Sequence, residues 1–196
     1  MSRVRELVYQ NRSYRRFDGS YAVGPEVLEQ LIDLGRMSPS GLNRQWLRYM
    51  PITEPEQCTA LCERLGWAGY LKDWPGPDAG ERPTAYIVML EDGTHGHGHP
   101  LDAGIAAQSI LLGATEMGLG GCILASFSQE QLARLLGVPT GMRIALVVAI
   151  GKPAEEIVVE PLAMDGDVKY WHEGRTHHVP KRPLGDVIVP VHFTKE

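Results

Sequence analysis

Two uninterrupted apolar runs of strand length, residues 84–90 and 143–150, constrain this chain more than any other feature. A strand that is apolar on both faces must be covered on both faces, so the chain has to build layers above and below a sheet. The run at 143–150 is the expected sheet centre. Between the two runs, residues 101–117 carry the strongest helical pattern, with Ala103, Gly104, Ala106 and Ala107 along its first half. Small side chains let backbones approach closely, so this helix belongs at the centre of the fold, at a subunit contact, or both. Residues 120–125 read as a short strand reached through Gly118-Leu119-Gly120-Gly121. Residues 47–53 form a strand that Pro51 assigns to an edge.

The remaining helices follow from spacing and punctuation. Val4, Leu7 and Val8 recur at helical intervals in residues 2–10. Pro25 suits the first position of a helix with Leu28, Leu31 and Ile32 on one face, which must end before Pro39. Cys58, Leu61, Cys62 and Leu65 share a face in residues 55–65. Ser128 with Gln131 forms a capping box for a helix reaching Leu136. Residues 66–83, rich in glycine and proline around Trp67, Tyr70 and Trp74, read as a structured loop. Beyond Gly151 the chain is proline-rich and less regular, apart from a short hairpin of residues 168–171 and 176–179 across Gly174. The glycine-rich motif of dinucleotide folds follows none of the strands. The 196 residues suit a single domain, 1–196.

Charge and cysteine content exclude several classes. With 24 acidic residues against 19 Lys plus Arg, the net charge of −5 argues against a nucleic-acid partner. No apolar run approaches the roughly 20 residues of a membrane helix. The opening MSRVRELVYQ lacks a signal-peptide apolar region, and three cysteines, an odd number, point to reduced thiols. A cytoplasmic protein is the expectation.

Local chemistry concentrates in Arg12-Ser13-Tyr14-Arg15-Arg16. Three guanidinium groups around a hydroxyl suit a phosphate monoester, because arginine offers forked donors to phosphate oxygens. The competing reading is a solvated basic surface. Lys181-Arg182 is a second basic pair at the far end of the chain. His95, His97 and His99 alternate with glycine. Imidazoles in such a run can bind zinc or nickel, but no carboxylate or cysteine lies at matched spacing, so a solvent-exposed loop is favoured and no metal site is expected. Cys58 and Cys62 read as core residues, and His177-His178 as surface residues.

Taken together, four segments resemble the flavin-dependent nitroreductase family. They are Arg12-Ser13-Tyr14-Arg15-Arg16-Phe17 after the first helix, Ser38-Pro39-Ser40-Gly41-Leu42-Asn43-Arg44-Gln45 after the next, the long helix with Gly118-Leu119-Gly120-Gly121-Cys122 behind it, and Val179-Pro180-Lys181-Arg182-Pro183-Leu184. The loop Trp67-Ala68-Gly69-Tyr70-Leu71-Lys72-Asp73-Trp74, followed by Gly80-Glu81-Arg82-Pro83, is similar to a compact branch of that family. The resemblance implies an α+β fold: a three-layer sandwich with a central mixed, largely antiparallel sheet flanked by helices and a domain-exchanged C-terminal segment. It implies a homodimer with FMN at the subunit interface. Arg12, Ser13 and Arg15 match the phosphate and ribityl positions, Lys181 or Arg182 completes the clamp, and Arg16 is the weaker member. Ser38, Pro39, Ser40 and Asn43 match the loop at the isoalloxazine edge, and the backbone at Gly121 and Cys122 the polar edge near the flavin N5.

Two departures from the family pattern stand out. Trp46 replaces a common proline, which reshapes the start of the strand or places an indole near the partner subunit. Tyr70 stands nearest the position of an asparagine that holds the pyrimidine ring, with Lys72 as a substitute positive charge. Trp67, Tyr70 and Lys72 are the candidate substrate pocket, with simple anchoring of the loop as the alternative. The implied activity transfers hydride from NADH or NADPH through FMN to a nitroaromatic, quinone or similar small acceptor. No catalytic nucleophile or acid–base pair is required. The alternative is a flavin-binding storage, transfer or sensing protein with little nicotinamide turnover.

Overall fold

The computed structural model describes residues 2–95, 98–163 and 165–192. The two apolar runs become β2 (Ala85–Asp92) and β4 (Met142–Gly151), and they pair antiparallel as the inner strands of a four-stranded sheet. β1 (Leu47–Ile52) adds to β2 at one edge, where Pro51 is tolerated, and β3 (Gly120–Leu124) adds to β4 at the other. All three pairings in this sheet are antiparallel.

The alternation of side chains explains why the inner strands carry no polar face. Ala85, Ile87, Met89, Leu146, Val148 and Ile150 point to one side, where α2 (Pro25–Arg36) and α4 (Pro100–Glu116) cover them. Tyr86, Val88, Leu90, Val147 and Ala149 point to the other, under α3 (Pro55–Cys62) and α5 (Gln129–Leu136). A shift of register between Met89 and Leu90 puts Ile144 on this second side. Helix, sheet and helix form three layers. Ser128 caps α5 by accepting from the Gln131 amide at 3.4 Å, and Gly137 ends it in the left-handed region with φ 62°.

α1 (Arg3–Gln10) behaves differently. None of its residues is buried, and Val4 and Val8 of its apolar stripe face solvent in the single chain. α4 is buried on one face only. Ala103, Ala106 and Ala107 meet the core, whereas Leu101 and Ile105 are exposed.

The chain divides into two compact units, 1–154 and 155–196. The first holds the four-stranded sheet. The second, expected to be less regular apart from one hairpin, contains β5 (Glu156–Pro161), β6 (Trp171–Glu173) and β7 (Thr176–Lys181) in the order β5-β7-β6. β5 runs parallel to β7, and β6–β7 is the hairpin expected across Gly174, whose φ is 61°. A short helix, α6 (Leu184–Val187), follows. No helix among the described residues is long and apolar enough to cross a membrane.

Candidate flavin site

The basic segment is held against the start of β3. Ser13 forms a parallel bridge with Gly121, and the Tyr14 amide donates to the Gly121 carbonyl at 3.0 Å. This contact joins segments 108 positions apart in sequence (13 and 121). Gly120 leaves room for it, because a Cβ there would strike the Tyr14 ring and Pro153, while a Cβ on Gly121 would strike the Ala149 carbonyl and Leu111 in the core. Gly120 thus admits the chain's own neighbouring segment. Cys122, next to it, is buried.

The three arginines divide their work. Arg12 turns back to the end of α1, donating from Nη2 to the Val8 carbonyl at 2.7 Å and from Nε to the Asn11 carbonyl at 2.6 Å. There a cation meets orphaned carbonyls and the negative end of the helix dipole. Arg15 folds over Ser13, with Nη1 donating to the Ser13 carbonyl at 3.0 Å, and the Ser13 residue itself is exposed. Arg16 is committed elsewhere. It pairs with Glu81, both side chains mostly covered, and its guanidinium lies 5.3 Å from the centre of the Trp74 ring. Guanidinium and hydroxyl donors in one short segment fit a phosphate ester by their chemistry.

The loop after α2 is built around a residue that sequence reasoning overlooked. Asp102, in the first turn of α4, is buried, and its carboxylate accepts from Trp46 Nε1 at 2.7 Å, Ser40 Oγ at 2.8 Å and the Gly41 amide at 3.0 Å. Burial raises its pKa, but the Trp46, Ser40 and Gly41 hydrogen bonds and the nearby His99 outweigh this and hold the carboxyl below its ordinary value. Ser38 Oγ donates to or accepts from Ser109 Oγ at 2.7 Å, tying the loop to α4 a second time. Leu42, Asn43 and Gln45 take positive φ of 54°, 53° and 50°, an unfavourable conformation for residues with a Cβ. A cavity of about 340 Å³ opens here, lined in part by Ser38, Pro39, Ser40, Trp46, Tyr49 and Asp102. Its size and its few convergent polar groups suit one planar ligand ring.

Several expected roles change. Trp46 is buried in its own chain against Asp102, so its indole is not displayed toward a partner. Trp67 is buried as well, donating to the Cys62 carbonyl at 3.4 Å and packing where a Cβ on Gly76 would collide with it. It anchors the loop as a core residue rather than walling an open pocket, because its ring shares the cluster of α3 and β2. Tyr70 and Lys72 are exposed, and Asn43 is exposed on the loop. Lys181 and Arg182 are exposed in the second unit. His177, expected on the surface, is buried, since its ring lies on the inner side of β7 between Tyr170 and His172. Within the alternating histidine run, His97 lies outside the described residues.

Comparison with known proteins identifies the family and the fold. Residues 8–68 and 70–152 match the Nitroreductase family. Protein DrgA of Synechocystis is 25% identical over 177 residues, covering 77% of this chain and 84% of that protein. An NADPH-flavin oxidoreductase of Vibrio harveyi is 25% identical over 178 residues, covering 82% and 70%. Among solved structures, an FMN-dependent nitroreductase of Clostridium difficile superposes with a TM-score of 0.62 at 21% identity, over 76% of this chain and 87% of that one. The α+β sandwich is thus the nitroreductase fold, and the chain belongs to the nitroreductase family.

Proposed function

We propose that this nitroreductase-family oxidoreductase binds FMN and uses NADH or NADPH to reduce a small acceptor such as a nitroaromatic or quinone. The observation that supports this reading is the Ser13–Gly121 bridge, which joins the segment of Arg12, Ser13 and Arg15 to the start of β3. Those three residues would hold the FMN phosphate and ribityl chain, with Lys181 and Arg182 as further cationic donors. Ser38, Pro39, Ser40 and Asn43 would border the ring, and the backbone at Gly121 and Cys122 would face its polar edge. Tyr70 and Lys72 are the proposed contacts to the acceptor. FMN, when bound, supplies the hydride chemistry. The chain's own part is to bind, orient and screen. Asp102 fixes the loop, the arginines balance phosphate charge, and the apolar walls exclude water. The family match and the names of the relatives support this reading.

The proposal includes a cytoplasmic homodimer with the cofactor at the subunit interface. It is supported by apolar surface uncovered in the single chain. Val4 and Val8 of α1, Leu34 and Met37 near the end of α2, and Leu101 and Ile105 of α4 are all exposed. So are Leu184, Ile188, Val189 and Val191 in the C-terminal segment, as a segment exchanged between subunits requires.

The test is anaerobic. Purified protein loaded with FMN is mixed with NADH and, separately, with NADPH while the flavin absorbance is followed. Bleaching within minutes by at least one donor, and recovery on adding a quinone or nitroaromatic, is the expected result. A flavin that stays oxidised with both donors refutes the nicotinamide reading and leaves a flavin carrier or sensor.

A further inference from the structure

We propose that Glu155, His172 and His177 form a three-ligand site for a divalent transition metal, with zinc the best match. All three belong to the second unit, outside residues 8–152 that carry the family match. The backbone gathers them. His172 and His177 are directly opposite in the β6–β7 ladder, which places both imidazoles on one face of the sheet. Their ring centres are 4.5 Å apart and meet edge to face. β5 lies parallel on the other side of β7, with Ile157 opposite His177. Glu155 sits in the bend just ahead of β5 and brings its carboxylate to the same imidazoles. The Glu156 amide, donating to the Arg175 carbonyl at 3.2 Å, fixes where Glu155 enters the sheet.

The geometry suits a metal. One ligand atom from each residue lies within 4.8 Å of the other two. His172 Nε2 and Glu155 Oε2 are 3.5 Å apart. A tetrahedral zinc with bonds of roughly 2.1 Å has ligand–ligand edges of about 3.4 Å, so small side-chain rotations close the set. The side chains of Glu155 and His177 are each 1% exposed. A carboxylate this far from water beside two imidazoles is a donor set of the kind zinc takes. A metal uses both imidazoles in the neutral state and neutralises the carboxylate at once. Two imidazoles and one carboxylate leave a fourth position for water or a ligand. The Tyr170 ring, 5.0 Å from that of His177, shields one side. Copper and nickel would compete, since affinity at nitrogen ligands rises along the divalent series.

The experiment uses full-length protein without an affinity tag, stripped with chelator and then titrated with zinc against a chromophoric chelator. Cobalt(II) is added in parallel to read the ligand field in the visible region. The expected result is one tight equivalent per chain, weakened at least about tenfold by Glu155→Gln and by His172→Asn, each with an altered cobalt spectrum. The joint variant His95→Asn, His97→Asn and His99→Asn should retain the site. If Glu155→Gln fails to fold, His172→Asn alone decides. Absence of a tight equivalent, zinc affinity within threefold of the parent in the decisive variants, or loss of binding in the histidine-run variant each overturns the proposal.

Discussion

Replacing Asp102 with asparagine tests the loop that borders the proposed flavin ring. The substitution keeps the size and one acceptor oxygen, but sets an amide N–H₂ among donors. Trp46 Nε1, Ser40 Oγ and the Gly41 amide all reach Oδ2 of the carboxylate, at 2.7, 2.8 and 3.0 Å. The asparagine oxygen can serve that position only uncharged, and its amide must then face whatever the other oxygen served. Each hydrogen bond to a charged acceptor contributes about 1.5–3 kcal/mol, a neutral one about 1, and a buried donor left unmade costs about 1–3. A local loss of about 2 kcal/mol is therefore expected, which is roughly 30-fold faster opening. Hydrogen exchange followed by mass spectrometry should show that acceleration in peptides covering residues 40–46, with β2 and β4 unchanged. The pH dependence gives a second sign. Because the native carboxyl is held below its ordinary value, its contribution is fully present above about pH 4 and is lost as pH falls through the lower native value. Protection of the loop should fall in that acid window in the parent protein, and Asp102→Asn should abolish that step. An acceleration below threefold, or one spread evenly over the chain, would refute the idea that Asp102 organises this loop.

The phosphate assignment predicts that Arg12→Ala and Arg15→Ala each purify with most of their flavin missing, measured as absorbance per chain; full flavin content in both sinks it. Gly121→Ala should destabilise the protein by about 2 kcal/mol or more in urea unfolding, because the new methyl meets a Leu111 methyl at 2.6 Å and the rigid Ala149 carbonyl. Cys58 and Cys62 are buried, and burial lifts the Cys58 thiol to about 11, so native protein at pH 8 should leave both unreacted with a disulfide reagent that titrates them fully in denaturant. Gly104→Ala finds open space in the single chain and lies on the exposed face of α4. If that face is a subunit contact the substitution should raise the dimer dissociation constant in sedimentation, whereas an unchanged dimer with a gain of up to about 1 kcal/mol in stability would place the contact elsewhere.

The layered core could be read from the chain because its cause is local. Strand runs at 84–90 and 143–150 with no polar alternation admit only a sheet covered on both sides, and proline, serine and glycine mark where the helices begin and stop. In the second unit only the hairpin across Gly174 could be read this way. That unit's strand Glu156–Pro161 pairs in parallel with Thr176–Lys181, a partner that no short-range pattern announces. The proline-rich setting lowered any expectation of a sheet, and the burial of His177 depends on that pairing. A histidine beside another histidine carries no sign of which one faces inward until the register is known.

The site shows the same division between pattern and tertiary placement. Arg12, Ser13 and Arg15 stand out by composition, and the structure adds what composition lacks: a bridge from Ser13 to Gly121, next to Gly120, where a Cβ would meet the Tyr14 ring. Asp102 carries no such mark. An acidic residue just after a helix-starting proline reads as an ordinary partner of the helix dipole, and Trp46 reads as a departure from the family pattern. Placed together, they explain each other. The indole donor at 2.7 Å from a buried carboxylate is what a proline at position 46 could not supply. That same carboxylate holds Ser40 and Gly41, immediately ahead of three residues with positive φ. Left-handed backbone at Leu42 and Gln45 costs of order 1–3 kcal/mol per residue, so such a loop persists only where its surroundings over-determine it. Trp46 and Asp102 are that over-determination. The departure from the family's proline is thus compensated within the same loop.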